Sequence, residues 1–181
     1  MVNKFDKKIV FCYYIFSWKK GVKMNKIVLK NFVLEQFDYE NIEHLRMIDK
    51  FDTDREINKY IIMSDDSFSD IVDYYRQSND DSIYDKLYLV RNLENEIIGS
   101  LELDGKENDL YINYSILSDY RNKGYCTNLL RQISKLLLLE VKKISLLIKK
   151  DNEKSKHLAL NAGYSKMSYE NLGYYKYQIK S

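Results

Sequence analysis

A chain of 181 residues with 45% apolar and 31% charged side chains has room for one hydrophobic core, which excludes a disordered tail and a membrane-embedded bundle. Its 29 Lys and Arg against 27 Asp and Glu leave a net charge of +2, which argues against a dedicated nucleic-acid binder. With no proline and six glycines, collagen-like repeats and proline-rich linkers are excluded too.

The chain opens with Lys4, Lys7 and Lys8, an apolar stretch from Ile9 to Trp18, and then Lys19 and Lys20. That order imitates a secretion signal, but no small-x-small cleavage site follows and the stretch is too short to span a bilayer. Lys19-Lys20-Gly21-Val22-Lys23-Met24 can be encoded as a purine-rich ribosome-binding sequence before a start codon. Translation is therefore expected to begin at Met24, leaving 1–23 as a leader and 24–181 as a single domain.

Ile27–Leu29 reads as a short strand, and Asp38–Lys50 as a helix with Ile42, Leu45 and Ile48 at helical spacing and Asp38 as its N-cap. Further helical patterns cover Arg55–Met63 and Phe68–Gln77. Leu87–Arg91, Glu96–Leu103 and Leu110–Leu117 follow as three strands, with turns at Asn92–Asn95 and from Asp104-Gly105-Lys106, so an antiparallel meander is expected. Thr127–Glu140 is a strongly apolar helix, Lys143–Ile148 a buried strand, and Asn152–Ala162 a helix closed by Gly163. Tyr164–Tyr169 and Tyr174–Ile179 complete a mixed α/β (α+β) fold. Its central sheet is expected to be mostly antiparallel, with about six to seven strands and helices on both faces.

Cys12 and Cys126 are too few for a disulfide framework and lack metal-ligand spacing, so a cytoplasmic protein is the expectation. His44 and His157 stand alone in helical patterns and read as structural or solvated, with no metal expected. The 17 tyrosines accompany many Lys, Asn and Ile and carry no functional weight by number. Charge is unevenly spread: 1–23 carry +5, 24–117 carry −11 and 118–181 carry +8. A basic half suits a ligand rich in phosphate. An acidic half, as in Asp65-Asp66 and Asp80-Asp81, suits steering of a cation, although a merely solvated surface would read the same.

The segment from Tyr114 to Thr127 concentrates the chemistry. A strand delivers a short loop, Ser118-Asp119-Tyr120-Arg121-Asn122-Lys123-Gly124, whose backbone amides run into a helix N-terminus, a ready site for phosphate. Gly124 leaves room for the anion, and Arg121 and Lys123 add charge. From spacing alone an ordinary strand-to-helix turn is an equal alternative.

Arg121-Asn122-Lys123-Gly124-Tyr125-Cys126 resembles the Arg-x-x-Gly-x-(Gly/Ala) acyl-CoA signature of the GNAT superfamily of N-acetyltransferases, with Cys126 in the final small position. A second match reads Asn152-Glu153-Lys154-Ser155-Lys156-His157-Leu158 with Gly163-Tyr164, similar to the family's Asn-x-x-Ser-x-x-apolar and Gly-aromatic pattern. The resemblance covers essentially everything after Met24 and is closest to the subgroup of ribosomal-protein N-terminal acetyltransferases. It implies that Ile116 and Leu117 offer backbone groups to pantetheine. It further implies that amides from Asn122 through Lys123, Gly124, Tyr125, Cys126 and Thr127 hold the pyrophosphate, and that Asn152 and Ser155 line the cofactor beyond.

The implied reaction is direct acetyl transfer from acetyl-CoA to an amine, with no metal, by a cytoplasmic monomer or homodimer bound to neither nucleic acid nor membrane. The acceptor is a small cationic amine or a protein N-terminus. Two family positions depart: Ala159 stands where a tyrosine often protonates the thiolate, and Tyr111 where a glutamate often acts as base. Glu102 and Asp109 are the replacement candidates, against a plain solvated strand face. Cys126 is either a small residue that fits the loop or a thiol activated at the helix N-terminus. A CoA-binding regulator with the same fold and no turnover is the alternative function.

Overall fold

Two apolar clusters, one on each side of a single sheet, organise the chain. The computed structural model describes residues 25–60, 67–77, 84–106, 109–171 and 173–181. The expected leader at 1–23 with Cys12, the helix end at 61–63, Asp65-Asp66 and Asp80-Asp81 lie outside the described residues. The elements in chain order are β1 (Lys26–Val28), β2 (Val33–Gln36), α1 (Ile42–Asp52), α2 (Arg55–Tyr60), α3 (Phe68–Arg76), β3 (Lys86–Arg91), β4 (Ile97–Lys106) and β5 (Asp109–Ile116). A 3-10 turn at Ser118–Tyr120 leads to α4 (Tyr125–Leu137), β6 (Lys143–Lys149), α5 (Glu153–Asn161), β7 (Ser165–Asn171) and β8 (Tyr174–Lys180).

The sheet order is β1-β2-β3-β4-β5-β6-β8-β7, giving eight strands among the described residues where six to seven are expected. The difference is β2: Val33-Leu34-Glu35-Gln36 alternates too briefly to read as a strand. It becomes one by pairing with β3 from Val33↔Arg91 to Gln36↔Tyr88. The first helix is capped by Asn41, whose Oδ1 accepts from the Glu43 N–H at 2.9 Å, and not by Asp38. Asp38 instead donates its N–H to Nδ1 of the buried His44 at 2.9 Å. β4 runs through Asp104 and Gly105, so the chain reverses later than the sequence suggests. Gly105 takes φ +107, and a Cβ there would sit 2.4 Å from the Asp109 carbonyl oxygen.

Strand alternation sorts the core. Leu101 and Leu103 of β4 face Leu110, Ile112 and the α4 residues Leu129, Leu130 and Ile133, while Leu87 and Leu89 of β3 face Phe37, Phe51, Phe68 and Tyr75 on the other side. The functional consequence lies between β5 and β6, the sheet's parallel pair. They are joined only at Leu110↔Ile144 and Tyr111↔Ser145. Beyond Tyr111, β5 stays bonded to β4 and β6 to β8 along their lengths, so the sheet opens between Ile112–Ile116 and Leu146–Lys149.

Candidate active site

At the wide end of this opening the chain leaves β5 and enters α4. Ile116 and Leu117 are nearly buried; the Ile116 carbonyl accepts from Arg121 Nε at 2.8 Å, and the Leu117 N–H donates to the Ile98 carbonyl at 3.0 Å. The Leu117 N–H is thereby spent, whereas Ile116, in the alternate pairing position opposite Gly99, directs its N–H away from β4 toward the opening, and both carbonyls keep a second lone pair for a ligand. Asn122 and Gly124 take φ +60 and +75, which turns the loop sharply into the helix. α4 has no side-chain cap, so the first-turn N–H groups of Tyr125, Cys126 and Thr127 end at the positive pole of a 13-residue helix with no side chain to satisfy them. No atom lies within 4 Å of where a Cβ on Gly124 would be, so the space over the loop is open. Lys123 is exposed and lies 5.3 Å over the Tyr120 ring, free to swing toward an anion. Cys126 is half-buried and desolvation pushes its thiol up, which favours its packing role over an activated thiol.

Arg121 does more than add charge. Its Nη2 contacts Asp54 Oδ2 at 2.7 Å and its Nη1 Glu56 Oε2 at 3.1 Å, while Glu56 Oε1 holds Lys154 Nζ at 2.7 Å. On the far wall, Lys149 Nζ donates to the Lys59 carbonyl at 3.0 Å. The short helix α2 thus straps the loop after β5 to the segment after β6, across the opening. Burial would raise the Asp54 carboxyl, but hydrogen bonds from Arg121 and from the Ile57 and Ser118 N–H groups outweigh it and hold the carboxyl low. Sequence reasoning misses this strap; its one local signal is Asp54 before Arg55-Glu56, an N-cap pattern realised by Asp54 Oδ1 accepting from the Glu56 N–H at 3.1 Å. The Asp54 side chain is only 6% exposed, so Arg121→Ala removes the counter-cation of a buried carboxylate and leaves it to backbone N–H donors alone. That variant is expected to lose about 3 kcal/mol in urea denaturation, whereas Lys123→Ala leaves the midpoint unchanged.

The second motif sits beside the opening. Asn152 Oδ1 caps α5 by accepting from the Ser155 N–H at 3.0 Å, and Ala159 is fully buried. Gly163 takes φ +99 to end the segment, and the Tyr164 N–H donates back to the Ala159 carbonyl at 3.0 Å. The Tyr164 and Ser134 hydroxyls share a buried hydrogen bond of 2.6 Å.

Glu102 and Asp109 have opposite surroundings. Asp109, at the closed end of the β5–β6 pair, lies 3.2 Å from Lys143 Nζ, 3.4 Å from Lys176 Nζ and 3.0 Å from the Ser145 hydroxyl. Burial opposes ionisation there, yet these partners prevail and keep the carboxyl below its usual range. Glu102 projects from the middle of β4 toward α3. Burial pushes its carboxyl up to about 7, with the charge of Asp104 adding to the rise and hydrogen bonds from Asn113 and Tyr75 restraining it. Asn113 Nδ2 donates to Glu102 Oε2 at 3.2 Å, placing the carboxylate against the strand that borders the opening. Asp104, two residues along the same face, is also raised, by burial first and then by Asp85. His157 is exposed and His44 is buried among structural partners, so neither faces the opening. Among the described residues no group of His, Cys, Asp or Glu is arranged to hold a metal ion.

Residues 31–165 match the acetyltransferase (GNAT) domain family. Among solved structures, an acetyltransferase of the GNAT family from Bacillus anthracis superposes with a TM-score of 0.65 at 16% identity, covering 86% of this chain and 98% of that one. Spermidine N-acetyltransferase from Vibrio cholerae, in complex with CoA and spermine, gives 0.66 at 19% identity over 82% and 95%. The microcin C7 self-immunity acetyltransferase MccE, in complex with acetyl-CoA and AMP, gives 0.63 at 19% identity over 84% and 93%. A search of curated proteins yields no match. The split sheet, the uncapped loop after β5 and the family match agree: the chain belongs to the GNAT family of acetyltransferases.

Proposed function

We propose that this enzyme transfers the acetyl group of acetyl-CoA directly to the primary amine of a small cationic acceptor. The observation that carries the reading is the opening between β5 and β6, with an uncapped phosphate-type loop at its wide end and Glu102 beside its middle. The residues present fit the acyl donor. The α4 amides and Lys123 suit the pyrophosphate, the open space at Gly124 gives it close approach, and the unpaired edges of β5 and β6 suit the amide-bearing pantetheine arm.

Glu102 takes the amine's proton, directly or through one water, because a carboxyl near 7 is half-ionised at neutral pH and still basic enough to accept it. Asp109 stays a paired carboxylate that fastens β5 to β6. The acceptor class follows from charge. Glu102 and Asp104 share one face of β4 with Asp85 beside them; burial first, and then the charge of a neighbouring carboxylate, raises the carboxyls of Glu102 and Asp104, and a cationic amine relieves that repulsion. The complex of the Vibrio cholerae neighbour with spermine supports the same class. Acetyl-CoA points to a cytoplasmic setting, and no helix among the described residues is long and apolar enough to cross a membrane.

Release of free thiol from acetyl-CoA, measured over a panel of polyamines, an aminoglycoside, free amino acids and a peptide with a free N-terminus, tests this. Turnover is expected with the polycations first. Turnover only on the peptide would move the acceptor to a protein N-terminus. Tight CoA binding with turnover on none of them would overturn the enzymatic reading in favour of a CoA-binding regulator.

A further inference from the structure

Tyr114 lies on β5 beyond the last residue paired with β6, inside the stretch where the sheet has opened. Leu110 and Ile112, on the same face of the strand, are fully buried under α4, whereas Tyr114 is only half-buried because β6 has parted from it. Its phenol packs on the larger core cluster beside Cys126 from the first turn of α4, with the Ser155 side chain from the first turn of α5 as its nearest hydrogen-bonding neighbour. The hydroxyl oxygen is removed from solvent and closes no hydrogen bond of good geometry with any described residue. Folded proteins rarely leave a buried hydroxyl so, and such an orphan between two helix N-termini is a donor waiting for a ligand atom.

We infer that the Tyr114 hydroxyl is the hydrogen-bond donor that meets the sulfur of the acyl donor as its bond to the acetyl carbon breaks. The inference rests on the acetyl-transfer reading given above. Successive strand residues point to opposite faces, so Asn113 holds Glu102 on the acceptor side while Tyr114 reaches the α4–α5 side of the same opening. The amine's lone pair forms the new N–C bond, the C–S bond breaks, and its electron pair goes to sulfur. Glu102 takes the surplus proton of the amine, and the hydroxyl of Tyr114 stabilises the sulfur's new charge until water protonates it. Burial raises the phenol, with Ser155 pulling slightly the other way, so Tyr114 keeps its proton throughout the neutral range and donates without transferring it. Ala159, fully buried with a methyl side chain, supplies no donor there.

The test compares CoA with desulfo-CoA, in which hydrogen replaces the thiol, by titration calorimetry on the wild type and Tyr114→Phe. Wild type is expected to bind CoA about 10-fold more tightly than desulfo-CoA, and Tyr114→Phe to bind the two equally, with desulfo-CoA affinity unchanged. In turnover, kcat falls about 10²-fold at constant amine KM. The variant is expected to melt no lower than wild type, since it deletes a buried hydroxyl that closes no hydrogen bond of good geometry. An unaltered CoA to desulfo-CoA ratio, or an equal loss of affinity for both, overturns the assignment while leaving acetyl transfer standing. Failure of the wild type to bind either ligand overturns both.

Discussion

Gly124→Glu is expected to weaken CoA binding by at least about 10²-fold in calorimetry while the protein stays folded. Gly124 takes φ 75 and ψ 1, so any side chain there incurs the left-handed penalty of roughly 1–2 kcal/mol. Nothing lies within 4 Å of the added Cβ, so the fold itself has room for the residue. A carboxylate at the N-terminus of α4 even recovers part of that penalty from the helix dipole. Against the ligand both terms reverse: the carboxylate occupies the place of the pyrophosphate and repels its charges. Like charges in contact cost several kcal/mol, and about 3 kcal/mol is already two powers of ten. Gly124→Asn separates the causes, because Asn tolerates the left-handed conformation and carries no charge; it is expected to lose less than about 10-fold. Retained affinity in Gly124→Glu would remove the phosphates from this loop.

Much of this architecture is legible in sequence because its signals are local. The alternation of Leu101 and Leu103 with polar neighbours marks β4, and the capping residue Asn152 and the terminator Gly163 bracket α5 within a residue. The loop from Arg121 to Thr127 is legible for the same reason, since its glycine and its position before an apolar helix are contiguous. What stays hidden depends on distant partners. β2 is a strand because β3 lies beside it, and the β5–β6 opening is a matter of where pairing stops. The ties from Arg121 to Asp54 and Glu56 span more than sixty positions. Glu102 is the sharpest case. Between two leucines on a strand it reads as a solvated face, and only the folding of α3 brings the buried Tyr75 against it and strips its water. The near balance of charge conceals a similar division, with an acidic stretch that supplies Asp54, Asp85, Glu102 and Asp104 and a basic one that supplies Arg121, Lys123 and Lys154.

That desolvation makes Glu102→Gln a second decisive substitution, since it must act on rate and stability with different pH signatures. A general base contributes about 10²–10⁴-fold, so kcat is expected to fall by at least about 10² in Glu102→Gln. In the wild type, kcat/KM rises through a limb near pH 7 as the carboxyl ionises, and that limb is expected to vanish in the variant. Stability moves the other way. The folded protein holds this proton up to about 7 against an ordinary value of 4.5, so the group's contribution to stability is complete below pH 4.5 and is lost as pH rises through 7. Gln never ionises, and it can still accept from Asn113. Above pH 7 the variant is therefore expected to exceed the wild type by up to about 3 kcal/mol in urea denaturation, and to show no difference of this origin below pH 4.5. A lost contact alone would lower stability at every pH and leave the activity limb in place. A variant that is slow, without the limb and more stable in alkali is explained only by a buried carboxyl that must give up its proton to work, because a resting charge at that position costs the fold what the reaction needs.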